Sequence, residues 1–286
     1  MGKAIKRMLI GAAALFILGI ILCSISVVAG VNTSNVTMFG KDIATYMNFD
    51  QTYTQEITAL DVDFDYGMLY VKEGEAFRVE AKNVPEEKFK VEVDKNGTLK
   101  VSEKRNKWFN IELDGFPFFF FDNNKDKRTT ITIYLPKNTT LKSCNIDVSA
   151  GKASLENISA ETGTLEVSAG QIVGNNIKLQ KSSKLELGAG SMELSKAILN
   201  DCDMDISAGE LIVDGTLTGK TEATCGAGSI KITTDLEEKD YNYKCDASAG
   251  SIKVNGNHVK HESNNNNATN SFDLDCSAGE IKVTTK

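Results

Sequence analysis

Hydrophobic and polar residues alternate along most of this chain, and the alternation breaks at regularly spaced glycines. The stretch Cys202 to Val213, CDMDISAGELIV, shows the unit clearly. Its glycine recurs as Gly151, Gly170, Gly190, Gly209, Gly228, Gly250 and Gly279, each preceded by Ser-Ala or Gly-Ala, with spacings of 19, 20, 19, 19, 22 and 29 residues. A fixed period near twenty is the signature of a solenoid, in which each repeat is one coil stacked on its neighbours. Apolar residues fall three and five positions before each glycine, as in Val148 and Ile146 or Ile206 and Met204. After it they fall at two and four, as in Leu211 and Val213 or Ile230 and Ile232. Period two on both flanks predicts strands with one buried face. The inward parity is odd before the glycine and even after it, which demands a corner, and glycine tolerates unusual corner angles. The pattern predicts an all-β, single-stranded β-helix or β-solenoid with coils of about 19–20 residues.

Regular coils are expected over residues 141–286, stacked in register and in chain order. Leu60 to Val71, LDVDFDYGMLYV, repeats the unit around Gly67 and predicts a divergent first coil. Strands are expected at Phe77 to Ala81, Lys88 to Val93 and Leu99 to Val101, with Asn96-Gly97 as a hairpin turn. Residues 58–140 therefore read as that first coil plus a strand-rich N-terminal cap. Trp108 to Phe121, WFNIELDGFPFFFF, has two readings: an apolar lid over the first coil, or a patch that meets a partner or membrane. Residues 32–57 are polar with scattered aromatics and read as a juxtamembrane linker.

Residues 1–31 stand apart. Lys3, Lys6 and Arg7 precede an uncharged run from Met8 to Val31, long enough to span a bilayer as one helix. The basic flank should stay cytoplasmic, placing the remainder outside. The rival reading is a cleaved signal peptide ending near Val27-Val28-Ala29. Beyond the first thirty residues, 29 basic and 39 acidic side chains leave a balance of −10. That balance argues against nucleic acid or anionic lipid as a bulk-charge partner.

The segment ITIYLPKNTTLKSCNIDVSAG, followed by short strands around SAG or GAG, resembles the putative-adhesin domain-of-unknown-function family of Gram-positive envelope proteins. The resemblance covers residues 58–286. It implies a β-helix-like fold and an envelope location, and it brings no catalytic motif with it. This chain departs from the family's regularity in its phenylalanine segment and in its two stretched last repeats.

Those repeats hold insertions: EEKDYNY before Gly250, and NGNHVKHESNNNNATNS, a low-complexity polar loop holding both histidines, before Gly279. His258 and His261 are three residues apart and with Glu262 could approach a metal, but a plain polar loop explains them better. The sequons at Asn138, Asn157 and Asn267 matter only if the source glycosylates. A serine nucleophile would lack a base, and the glycines open strand corners rather than a phosphate-binding helix. No cofactor is implied. The expected role is a non-enzymatic, adhesin-like or structural module, with wall polymer, an envelope protein or a second copy as partner. The alternative is a carbohydrate-active enzyme on a β-helix scaffold.

Five cysteines, Cys144, Cys202, Cys225, Cys245 and Cys276, fall on inward positions. With coils stacked in chain order no two share a rung, so free thiols are expected. The chain stops five residues after Ile281, which predicts an open end to the stack. Last, the position four before each glycine carries Asp147, Glu166, Glu186, Asp205, Thr224, Asp246 and Asp275, with Asp63 in the divergent coil. Strand geometry points it outward, so stacking predicts a column of carboxylates ~4.8 Å apart. The plain reading is a solvated face that keeps a long β surface soluble. The functional one is weak binding of divalent cations such as Ca²⁺ by neighbouring carboxylates.

Overall fold

Alternating burial follows the alternating sequence through most of the eighteen strands among the described residues. The structure is a computed structural model, and it describes residues 45–104, 128–259 and 268–286, which belong to one unit. Among these residues the regular elements are strands and one short 3-10 turn, Glu238–Asp240. No helix among them is long and apolar enough to cross a membrane. The expected anchor, the phenylalanine segment and His261 lie outside the described residues.

The N-terminal strands are β1 (Tyr46–Tyr53), β2 (Ala59–Phe64), β3 (Met68–Gly74), β4 (Phe77–Pro85), β5 (Phe89–Val93), β6 (Thr98–Glu103), β7 (Thr130–Pro136) and β8 (Leu141–Val148). Four long strands follow: β9 (Lys152–Val167), β10 (Gln171–Leu187), β11 (Ser191–Ile206) and β12 (Glu210–Cys225). The C-terminal set is β13 (Ser229–Thr234), β14 (Tyr241–Ala247), β15 (Ser251–Val254), β16 (Asn257–His258), β17 (Asn270–Cys276) and β18 (Glu280–Thr284).

Each of β9 to β12 is nearly a whole coil. The run after each corner glycine forms face A, the run before the next glycine forms face C, and a short face B lies between. Inward residues on face A include Ala153, Leu155, Met192 and Leu194, and on face C Leu185, Leu187, Met204 and Ile206, all buried. Face B adds Ile158, Ile177, Leu179, Leu199 and Leu217. The A–B corner turns at Asn157, Asn176 and Lys196, with φ of 54°, 57° and 52°. The B–C corner uses Asp201 (φ 43°) and Gly219 (φ 71°). Both corners thus take left-handed angles, which the short side chains of Asn157, Asn176 and Asp201 and the bare Gly219 tolerate better than Lys196 does.

The Ser-Ala-Gly corners work differently from the sequence expectation. Of the eight corner glycines only Gly67 has a positive φ in the left-handed range, at 120°. The others are required by stacking. A Cβ on Gly190 would lie 2.1 Å from the carbonyl oxygen of Gly170, and one on Gly228 would lie 2.4 Å from that of Gly209. The backbone ladder runs on around these corners, as in Ala208 N–H to the Gly188 carbonyl at 2.8 Å.

Strand order corrects the expectation of simple sequential stacking at both ends. On face C the order is β5, β6, β2, β8, β9, β10, β11, β12, β17, β14. On face A it is β1, β4, β7, β3, β9, β10, β11, β12, β13, β18, β15, β16. The last repeat, β17 with β18, thus lies between the coil ending at Gly228 and the coil of Gly250. The chain's final strands are inside the stack, not at an open end. Beyond them, β15 is covered by β16, and Tyr241, Tyr243 and Phe272 pack their rings at 4.6–6.2 Å to fill the terminal core.

The linker reading of residues 32–57 also needs correction. Residues 46–53 form β1, paired antiparallel with β4 and anchored by Arg78 on Asp50. Phe49 meets Phe89 edge-on, with centroids 5.5 Å apart, and draws this strand onto the core. The expected hairpin at Asn96-Gly97 joins β5 to β6, with Gly97 at φ 77° and Asp94 accepting from the Asn96 and Thr98 amides.

Candidate functional site: an acidic column on face C

Face C carries its polar side chains between buried ones, so each outward residue is fixed in height by the coil beneath. The column expected from the sequence is assembled, in an order the chain does not follow. Asp63 stands opposite Asp147, Asp147 opposite Glu166, Glu166 opposite Glu186, and Glu186 opposite Asp205. Thr224 interrupts the acids next to Asp205, after which come Asp275 and then Asp246. The intercalated repeat therefore puts Asp275 before Asp246.

Neighbouring strands put like charges ~4.8 Å apart, which is destabilising unless counter-charge is present. Lysines supply part of it. Lys104 pairs with Asp63, and Lys184 reaches Glu186 at 2.7 Å. Two residues before the column on β17 and β12, Lys244 holds Asp273 at 2.9 Å and Lys220 pairs with Glu222. The hydrogen bond to Asp63 lifts the Lys104 pKa above its usual value, and that to Glu186 does the same for Lys184. Glu166 sits at the worst point. Partial burial raises its pKa first, and the Asp147 and Glu186 carboxylates on either side raise it further.

A shallow hollow opens beside this part of the column, lined by Asp61, Asp63, Asn145, Asp147, Thr164 and Glu166. Among the described residues no group of three or more His, Cys, Asp or Glu side chains is placed to hold a metal ion. The column is a line of charge rather than a cage. His258 lies apart on β16, opposite Lys253, with Nδ1 3.5 Å from the Ser251 hydroxyl.

Two polar features escaped the sequence reading. Glu103, at the inward end of β6, is fully buried and accepts the Tyr66 amide at 3.2 Å. At the A–B corners, the Asn176 side-chain amide donates to Asn157 Oδ1 at 2.6 Å and that of Asn175 to Ser195 Oγ at 2.8 Å. The recurrence of asparagine at a fixed distance after the corner glycine, at Asn157 and Asn176, was the available signal.

The family profile described as Toastrack DUF4097 matches residues 57–284. No curated protein matches the chain in sequence. Among solved structures, a putative cell adhesion protein from Clostridium sporogenes is similar at 15% identity, covering 85% of this chain and 100% of its own, with a TM-score of 0.38. A putative adhesin from Bacteroides fragilis is similar at 13% identity, covering 84% and 97%, with a TM-score of 0.39. A structure from Parabacteroides distasonis described as a putative lipid binding protein has 13% identity, 84% and 96% coverage and a TM-score of 0.37.

Proposed function

We propose, for a chain that belongs to the Toastrack DUF4097 family, the role of a non-enzymatic, adhesin-like interaction module of the cell envelope. In this reading residues 1–31 anchor the protein in the membrane as a single helix with its basic flank inside, and the solenoid stands outside. The observation that carries the proposal is the in-register acidic column of face C. Its side chains are held at fixed spacing by the paired strands beneath them, so a partner with repeated cationic groups meets a preorganised surface and gives up little order in it.

The partner is then an envelope polymer or protein bearing ammonium or guanidinium groups. Association should weaken as salt rises, because these carboxylates, half-buried or exposed, face solvent and are screened by it. Full-length protein in detergent micelles, mixed with purified envelope fragments, tests this. Retention that falls with sodium chloride and with the triple change Glu166→Gln, Glu186→Gln and Asp205→Asn supports it, provided no sugar is released. Sugar release would favour the carbohydrate-active alternative, and retention indifferent to both salt and the triple change would refute the face C reading.

A further inference from the structure

Intercalation of the last repeat brings together two thiols that lie 51 positions apart in the chain. β17 runs parallel beside β12, and the register sets Cys225 directly opposite Cys276. Both side chains point into the core and both are fully buried. In-register neighbours on parallel strands have Cα atoms ~4.8 Å apart, inside the ~4.4–6.8 Å window that disulfides occupy. The Cys225 thiol leans toward the coil that holds Cys276, since a Cβ on Gly279 would lie 2.6 Å from Cys225 Sγ. Cys276 Sγ leans on toward Gly250 of the next coil, so closing the bond takes a rotation of the Cys276 side chain back toward Cys225. The expectation that no two cysteines share a rung fails here because it assumed coils stacked in chain order.

No other described cysteine has such a neighbour. Cys144 faces Leu60 and Gly163, Cys202 faces Ser183 and Thr221, and Cys245 faces Leu274. All five are free thiols in this structure. We propose that Cys225 and Cys276 are a built disulfide pair that, once oxidised, clamps the intercalated terminal repeat to the body of the solenoid. The two thiols lose two protons and two electrons as the sulfur–sulfur bond forms. A disulfide oxidant of the glutathione class accepts those electrons and is released as two thiols. Burial raises the Cys225 thiol pKa, with Cys276 adding to the effect, so the closed core supplies little thiolate. The bond should therefore form while β17 inserts during folding, not by attack on the finished stack.

Full-length protein is unfolded in urea with reductant, refolded with oxidised glutathione, then unfolded again in urea without reductant for alkylation with iodoacetamide, and digested under non-reducing conditions. The expected result is one dominant cross-linked peptide pair, Cys225 with Cys276, two hydrogens lighter than its reduced form, with Cys144, Cys202 and Cys245 alkylated. The Cys276→Ser variant should lose that species and leave Cys225 alkylated or bound to glutathione. A link through Cys245, Cys202 or Cys144, or full alkylation of Cys225 and Cys276 in refolded wild-type protein, overturns the proposal. The wild-type arm decides even if the variant fails to fold.

Discussion

Asp147 and Glu166 face each other in register on adjacent parallel coils, two carboxylates on the same outward face of one sheet. Glu186 continues the line on the far side of Glu166.

That position gives Glu166 a pH dependence of opposite sign to an ordinary paired carboxylate. Its folded pKa is raised, by partial burial first and by Asp147 and Glu186 next. The folded protein therefore holds this proton more tightly than the unfolded chain, and Glu166 lowers stability as pH climbs past its ordinary value of 4.5. Glu166→Gln should melt higher than wild type at pH 7, by a few tenths of a kcal/mol, the scale of a cross-strand pair. The difference should shrink toward zero as pH falls below 4.5. Thermal melting of both proteins across pH 4 to 8 checks this, and a gap that widens on acidification would contradict it.

The corner glycines make a steric prediction. Gly190→Ala would set a methyl 2.1 Å from the Gly170 carbonyl oxygen and 2.8 Å from a Val167 methyl, so the coils must part. Overpacking of this kind costs about 1–3 kcal/mol. Because φ at Gly190 is not in the left-handed range, the loss comes from the missing space and not from backbone strain. The unfolding free energy from urea titration should fall by that amount, and Gly209→Ala, 2.5 Å from the Gly190 oxygen, should match it.

Much of this fold was legible because burial on a strand obeys a two-residue rule that sequence displays directly. Leu211, Val213, Met204 and Ile206 were readable as inward, and Asp147 through Asp205 as an outward column. Face B was not read, since Ile177 and Leu179 follow a left-handed corner at Asn176 that breaks the alternation. Strand order was also hidden. Period two says which way a side chain points and nothing about which edge its strand joins. The 22- and 29-residue spacings were the sign that the chain has enough length to pass one level and return. β1 was missed for a related reason: its residues are largely exposed, and only Met47, Phe49 and Tyr53 touch the core.

The A–B corners predict opposite effects at equivalent places. Asn176 at φ 57° uses its amide to reach Asn157, so it both tolerates the left-handed angle and repays it with a hydrogen bond. Asn176→Ala should cost about 1–2 kcal/mol. Lys196 holds φ 52° with a long side chain that gains nothing from that conformation. Lys196→Asn should raise stability by up to about 1 kcal/mol, read as an upward shift in melting temperature. Equal effects of both substitutions would mean that the corner angle is not what governs these positions.

Two tyrosines in the terminal aromatic cluster separate hydrogen bonding from packing. The Tyr241 hydroxyl donates to the Leu217 carbonyl at 2.8 Å and lies 2.8 Å from Thr234 Oγ1, inside the core. Burial pushes its pKa up to about 12, so it stays a donor throughout the working pH range. Tyr243 stacks on Phe272 at 5.7 Å, yet its buried hydroxyl has no hydrogen-bond partner among the described residues. Removing a satisfied buried hydroxyl strands its acceptor and costs about 1–3 kcal/mol, whereas removing an unsatisfied one recovers desolvation. Tyr241→Phe should therefore lower the unfolding free energy from urea titration by that amount, while Tyr243→Phe should leave it unchanged or raise it. Both keep the ring and its contacts, so packing cannot account for a difference between them. Equal losses at the two positions would show that the Tyr243 hydroxyl has a partner in solution, and that the cluster is held by two polar anchors instead of one.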